Sequence, residues 1–163
     1  MRPAERPINM MRKPDRLVVE GVRRCLAGYA TGDHGCWELA LTLFERELGR
    51  SKARRAISDM SFFARDLHLH ARRVFCLFPY DCPKLCQDEC LIAAMVSAAQ
   101  SGDGETLIAI AGALVEASGQ EDICASARAL AQSLSEIDLA LSPVQAGALS
   151  LEDCPVKKLL RPN

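Results

Sequence analysis

The sequence has no apolar run long enough to cross a bilayer as a helix: its longest, Leu91 to Ala99 and Thr106 to Val115, fall well short of the roughly 20 residues required. The first residues, MRPAERPINMMRKPDR, are basic but have neither an apolar h-region nor a small-residue cleavage site, so they read as a flexible lead-in and not as a secretory signal. Aromatic residues are scarce at 5%, with a single Trp. No basic surface interleaved with stacking rings is therefore available to bind bases. Strict two-residue alternation never persists beyond a few positions, which argues against half-buried strands. Phosphate-loop, nucleophile-elbow, H-E-x-x-H and EF-hand patterns are missing too, and SGDGE (101–105) is better explained as helix punctuation. The composition points away from an enzyme.

What the sequence does contain is helical periodicity nearly throughout. Leu17, Val18, Val22, Cys25, Leu26 and Tyr29 form one stripe behind a candidate cap at Asp15, and Trp37, Ala40, Leu41, Phe44 and Leu48 form a second before Gly49. Ser51 is placed to cap a third helix with Ala53, Ile57, Met60, Ala64, Leu67, Ala71 and Val74 inward. Pro83 fits the first turn of a fourth, with Cys82 at its cap. That fourth helix is apolar nearly all round, which predicts a central position. A fifth is expected over about 105–117, and a sixth carries Ile123, Ala127, Leu130, Leu134, Ile137 and Leu141 up to Ser142 and Pro143. The expected fold is all-α: a single-domain bundle of about five to six mostly antiparallel helices over 15–142, between a flexible segment 1–14 and an irregular tail 143–163. At 163 residues a real core is within reach.

Charge is unevenly spread. The formal net charge is −1, yet residues 1–75 hold 15 Lys/Arg against 9 Asp/Glu and residues 76–163 hold 5 against 12. Much of the basic excess comes from Arg54, Arg55, Arg65, Arg72 and Arg73, placed by periodicity on the third helix. Such asymmetry can mark a surface for an acidic partner, nucleic acid included, but solvated arginine faces are the favoured explanation, because a near-neutral whole weakens attraction to phosphate.

Eight cysteines without an export signal imply reduced thiols in a cytoplasmic setting. Four of them, Cys76, Cys82, Cys86 and Cys90, make the densest set of soft ligands, in the spacing C-x5-C-x3-C-x3-C. Thiolates bind zinc or iron–sulfur clusters, so these four are the candidate metal ligands. His68 and His70 are candidate additions, although two positions apart on a helix they point to different faces. With a rise of about 1.5 Å per residue, Cys86 and Cys90 can share a metal while residues eight apart lie about 12 Å apart. Cys82 would have to act from a cap and Cys76 from the preceding loop. Otherwise all four are packing residues, since buried free cysteine behaves as a small hydrophobe. Cys82 at a helix start would also be the best thiol-redox candidate, because unpaired backbone N–H groups lower a thiol's pKa. Asp88 and Glu89 read as solvated or capping charges.

The leading expectation is a regulatory or adaptor protein that binds another protein, with the cysteine cluster fixing the junction of helices three and four. A thiol-redox protein or enzyme using Cys82, and a nucleic-acid module using the arginines, are the alternatives.

Overall fold

The computed structural model describes residues 7–145 together with 147, 149 and 151. Among these the fold is an all-α bundle of six helices: α1 (Lys13–Thr31), α2 (His34–Leu48), α3 (Arg50–His70), α4 (Gln87–Gln100), α5 (Gly104–Leu114) and α6 (Gln120–Glu136), the last preceded by a 3₁₀ turn at Ala117–Gly119. The expected fold class is met. No described helix is long and apolar enough to cross a membrane.

Local chemistry sets the helix boundaries. α1 starts with Pro14 in its first turn, where a missing N–H costs nothing, and stops at Gly32, whose φ of +71° is a left-handed cap. Asp33 then caps α2 by accepting from the Gly35 amide, and Asp103 caps α5 by accepting from the Thr106 amide. Two expected caps fall elsewhere. Asp15 lies inside the first turn of α1, fully buried, and accepts from the amides of Asn9 and Ser142 and from the Ser142 hydroxyl, so it ties the chain before α1 to the chain after α6. Ser51 lies inside α3, which begins at Arg50 with no side-chain cap.

α1, α2 and α3 pack on one another, α6 lies along α3, and α4 touches α1, α5 and α6. Cys90 to Ala98 of α4 are all buried, as the apolarity of that run predicted, and Gln87, Asp88 and Glu89 ahead of them are buried as well. Phe44, Phe63, Met60, Leu67, Ile92 and Met95 are among the largest fully buried side chains, and complete burial of such a group contributes about 1.5–3 kcal/mol. α1 meets α2 closely where a Cβ on Gly28 would lie 2.7 Å from the Trp37 ring.

Candidate functional site

α3 ends at His70, earlier than its sequence stripe suggested, and α4 begins only at Gln87. Ala71, Val74, Arg72 and Arg73 therefore belong to a connection of 16 residues, 71–86, without helix or strand of its own. Its start is pinned by an isolated antiparallel bridge between Ala71 and Val115, with the Arg72 amide donating to Leu114 O and the Glu116 amide to His70 O. Beyond that point the segment is held by buried charges.

Glu20, Arg23 and Arg24 occupy one side of α1 at spacings of three and four, and Asp88 and Glu89 open α4; all five are buried. Arg23 is clamped between the two carboxylates: Nε lies 2.5 Å and Nη2 3.0 Å from the Glu89 oxygens, and Nη1 bonds Glu20. The same guanidinium donates to Cys82 O at 2.9 Å and to Lys84 O at 2.8 Å. The carboxylates in turn accept from backbone: Asp88 from the Cys76 amide at 2.7 Å, Glu89 from the amides of Phe78 and Cys86 at 3.2 Å, and Glu20 from Asp81 at 3.0 Å. Arg73 closes the set on Asp88 at 2.7 Å. Thus the polar backbone of an irregular stretch is satisfied by side chains where a ladder would otherwise be needed. Burial works against the Arg23 cation, but the hydrogen bond and charge of Glu89, then those of Glu20, more than offset it, and its pKa lies above the ordinary arginine value.

The cysteines take separate roles. Cys86, not Cys82, is the N-cap of α4: its Sγ accepts from the Glu89 amide while Glu89 reaches back to the Cys86 amide, a capping box. Cys86 Sγ also donates to Cys76 O at 2.9 Å, tying the last residue of the connection back to its interior. Cys90 is buried in the hydrophobic core. Cys82, four residues ahead of the cap, sits half-exposed in a turn where its amide donates to Pro79 O, following Asp81 with φ +63°. The expected placement of Cys82 and Pro83 at the start of α4 is therefore corrected: neither stands at a helix terminus. His68 is exposed and stacks on Tyr29 with centroids 6.0 Å apart, while His70 is half-buried with Nε2 3.5 Å from Asp122. Among the described residues no three His, Cys, Asp or Glu side chains converge so as to hold a metal ion. Cys25 and Cys124 are buried as expected, and Cys154 lies outside the described residues.

Sequence reasoning missed the buried charge set. Its signal was present in Glu20, Arg23 and Arg24 interrupting the apolar stripe of α1, a position where charges are rarely buried unless paired. Asp88 and Glu89, expected to be solvated or capping, are 0% and 2% exposed; Glu89 caps, but from inside the protein.

On the outer side of the same connection lies an open apolar groove of about 460 Å³. Leu26 and Ala30 of α1 line it together with Val74, Phe75 and Leu77 of the connection. His68 and Arg73 are its basic groups, and no Asp or Glu lines it. Val74 is 80% exposed. The remaining arginines are largely engaged: Arg55 bonds Glu136, Arg65 lies 3.5 Å from Asp66, and Arg72 donates to Gly112 O.

Comparison with protein-family descriptions, with curated proteins and with solved structures finds no match to this chain.

Proposed function

We propose that the chain is a small regulatory or adaptor protein that binds another protein through the face built by residues 71–86. The observation that supports this reading is the way that connection is held. Irregular connections longer than about 12–15 residues are uncommon inside compact domains and are usually functional or disordered. This one has its backbone fixed at Cys76, Phe78, Asp81, Cys82, Lys84 and Cys86 by buried charged side chains. Buried ion pairs are a poor route to stability compared with apolar packing, so their value here is in fixing one conformation. That conformation holds Val74, Phe75 and Leu77 along a groove. A preformed apolar surface of this kind binds without the entropy of ordering a loop.

The cysteine cluster serves the same end, with Cys86 capping α4 and tying it to Cys76. Zinc or iron–sulfur ligation finds no support in this arrangement; near-stoichiometric metal in anaerobically purified protein would restore it. The nucleic-acid reading is weakened because Arg55, Arg65 and Arg73 each face a carboxylate.

Photo-cross-linking tests the adaptor reading. Benzoylphenylalanine at Val74 should give a discrete, saturable adduct with a second protein, competed by the unlabelled chain but not by its Val74→Asp variant. The same probe at Glu105, also exposed, should not. Equal patterns from the two positions, or none from either, would overturn the reading.

A further inference from the structure

We infer that Cys76 and Cys86 are a redox pair, which closes to a disulfide across the connection when the chain meets a small oxidised disulfide such as oxidised glutathione. Two sets of contacts place these residues side by side. Cys86 Sγ donates to Cys76 O at 2.9 Å. A carbonyl oxygen lies about 2.4 Å from its own Cα, so the Cys86 sulfur is no more than about 5.3 Å from the Cys76 Cα. The two backbones are also anchored on consecutive residues of α4. Asp88 accepts from the Cys76 amide at 2.7 Å, and Glu89 from the Cys86 amide at 3.2 Å.

These contacts hold the two Cα atoms within about 8 Å of each other. A disulfide joins Cα atoms about 4.4–6.8 Å apart, so closing the bond calls for turning the Cys76 side chain and no more than about 1–2 Å of backbone adjustment.

Exposure sets the order of events: Cys76 is half-buried, whereas Cys86 is 2% exposed. The Cys76 thiolate attacks one sulfur of oxidised glutathione, forming a mixed disulfide and releasing one glutathione thiolate. Cys86 then gives up the proton it donates to Cys76 O, and its sulfur attacks that of Cys76 and expels the second glutathione. The Glu89 amide, already a donor to Cys86 Sγ, remains a partner for the thiolate. In sum the two cysteines lose two protons and two electrons, and one oxidised glutathione becomes two reduced ones. The product has lost the hydrogen bond from the α4 cap to Cys76 O and holds residues 76–86 in a covalent ring. Oxidation therefore acts on the stretch that carries Leu77, next to Cys76 in the groove lining.

The test incubates the reduced full chain, folded and without denaturant, with oxidised glutathione, then quenches with acid and blocks the remaining thiols with N-ethylmaleimide. The product should have lost two blockable thiols and carry no glutathione, and tandem mass spectrometry of its peptides should join Cys76 to Cys86. Excess reduced glutathione should restore both thiols. Cys86→Ser, which keeps an acceptor at the cap, should stop at a glutathione adduct on Cys76. Cys76→Ser should leave Cys86 unmodified, and Cys82→Ser should react as the parent does. Unchanged circular dichroism confirms that the variants fold. A stable glutathione adduct on Cys76 of the parent, a disulfide between other cysteines, an unchanged thiol count, or a Cys76–Cys86 bond formed only in urea would overturn the proposal.

Discussion

Arg23 of α1 and Glu89 of α4 meet inside the protein through two contacts, Nε to Oε2 at 2.5 Å and Nη2 to Oε1 at 3.0 Å, with each side chain 1% exposed. Removing one partner would leave the other buried without its counter-charge, which typically costs about 3–5 kcal/mol. Arg23→Met and Glu89→Gln should each fall in that range by urea unfolding, while the exposed Glu105→Gln stays within about 0.5 kcal/mol.

Cys86 offers a second check. If its sulfur acts as a cap, Cys86→Ser keeps an acceptor for the Glu89 amide and should stay within about 1 kcal/mol of the parent, whereas Cys86→Ala should lose about 0.5–2 kcal/mol. Equal and large losses for both, accompanied by loss of bound zinc, would point to metal ligation instead.

The arrangement of α4 shows what could be read beforehand. Its central position was legible, because a run apolar on all sides has nowhere to go but inside. Its starting point was not. Pro83 looked like a first-turn proline, but the chain from Cys82 to Lys84 is bound to Arg23, some 60 residues earlier, and no local pattern reports that contact. The C-x-x-E of Cys86 and Glu89 performs as S-x-x-E does, with sulfur replacing the hydroxyl. Similarly, the α3 stripe continued through Ala71 and Val74, yet the bridge from Ala71 to Val115 takes the backbone out of the helix and leaves Val74 at the surface. The cysteine spacing was legible as a cluster in sequence; whether it gathered in space depended on the turn at Asp81 and Cys82.

Gly119 and Gly28 mark the two tightest glycine approaches among the described residues. A Cβ at Gly119 would lie 2.1 Å from Cγ of His70, and one at Gly28 would lie 2.7 Å from Cε2 of Trp37. Alanine at either position should cost about 1–3 kcal/mol through forced repacking. Gly104→Ala, where nothing lies within 4 Å, should be neutral or gain up to about 1 kcal/mol, as thermal unfolding of the three variants would show.

Burial pushes the Cys25 thiol from 9.0 up to about 12, with Arg24 opposing. Between those values the folded state holds a proton that the unfolded chain has released, so this contribution to stability is complete below pH 9 and declines as pH rises toward 12. Cys25→Ala should flatten the alkaline decline in denaturation midpoints. In the native protein Cys25 should also resist alkylation at pH 8, whereas half-exposed Cys82 reacts. Rapid Cys25 labelling under native conditions would contradict its placement.

The central claim is that residues 71–86 form a preformed wall fixed from within, and native-state amide hydrogen exchange tests it most directly. The amides of Cys76, Phe78 and Asp81, each donated to a buried carboxylate, should exchange orders of magnitude more slowly than an unstructured loop, and the protection of Phe78 should collapse in Glu89→Ala, which removes the acceptor, while α2 stays protected. Exchange of all three amides at unprotected rates in the parent protein would contradict it.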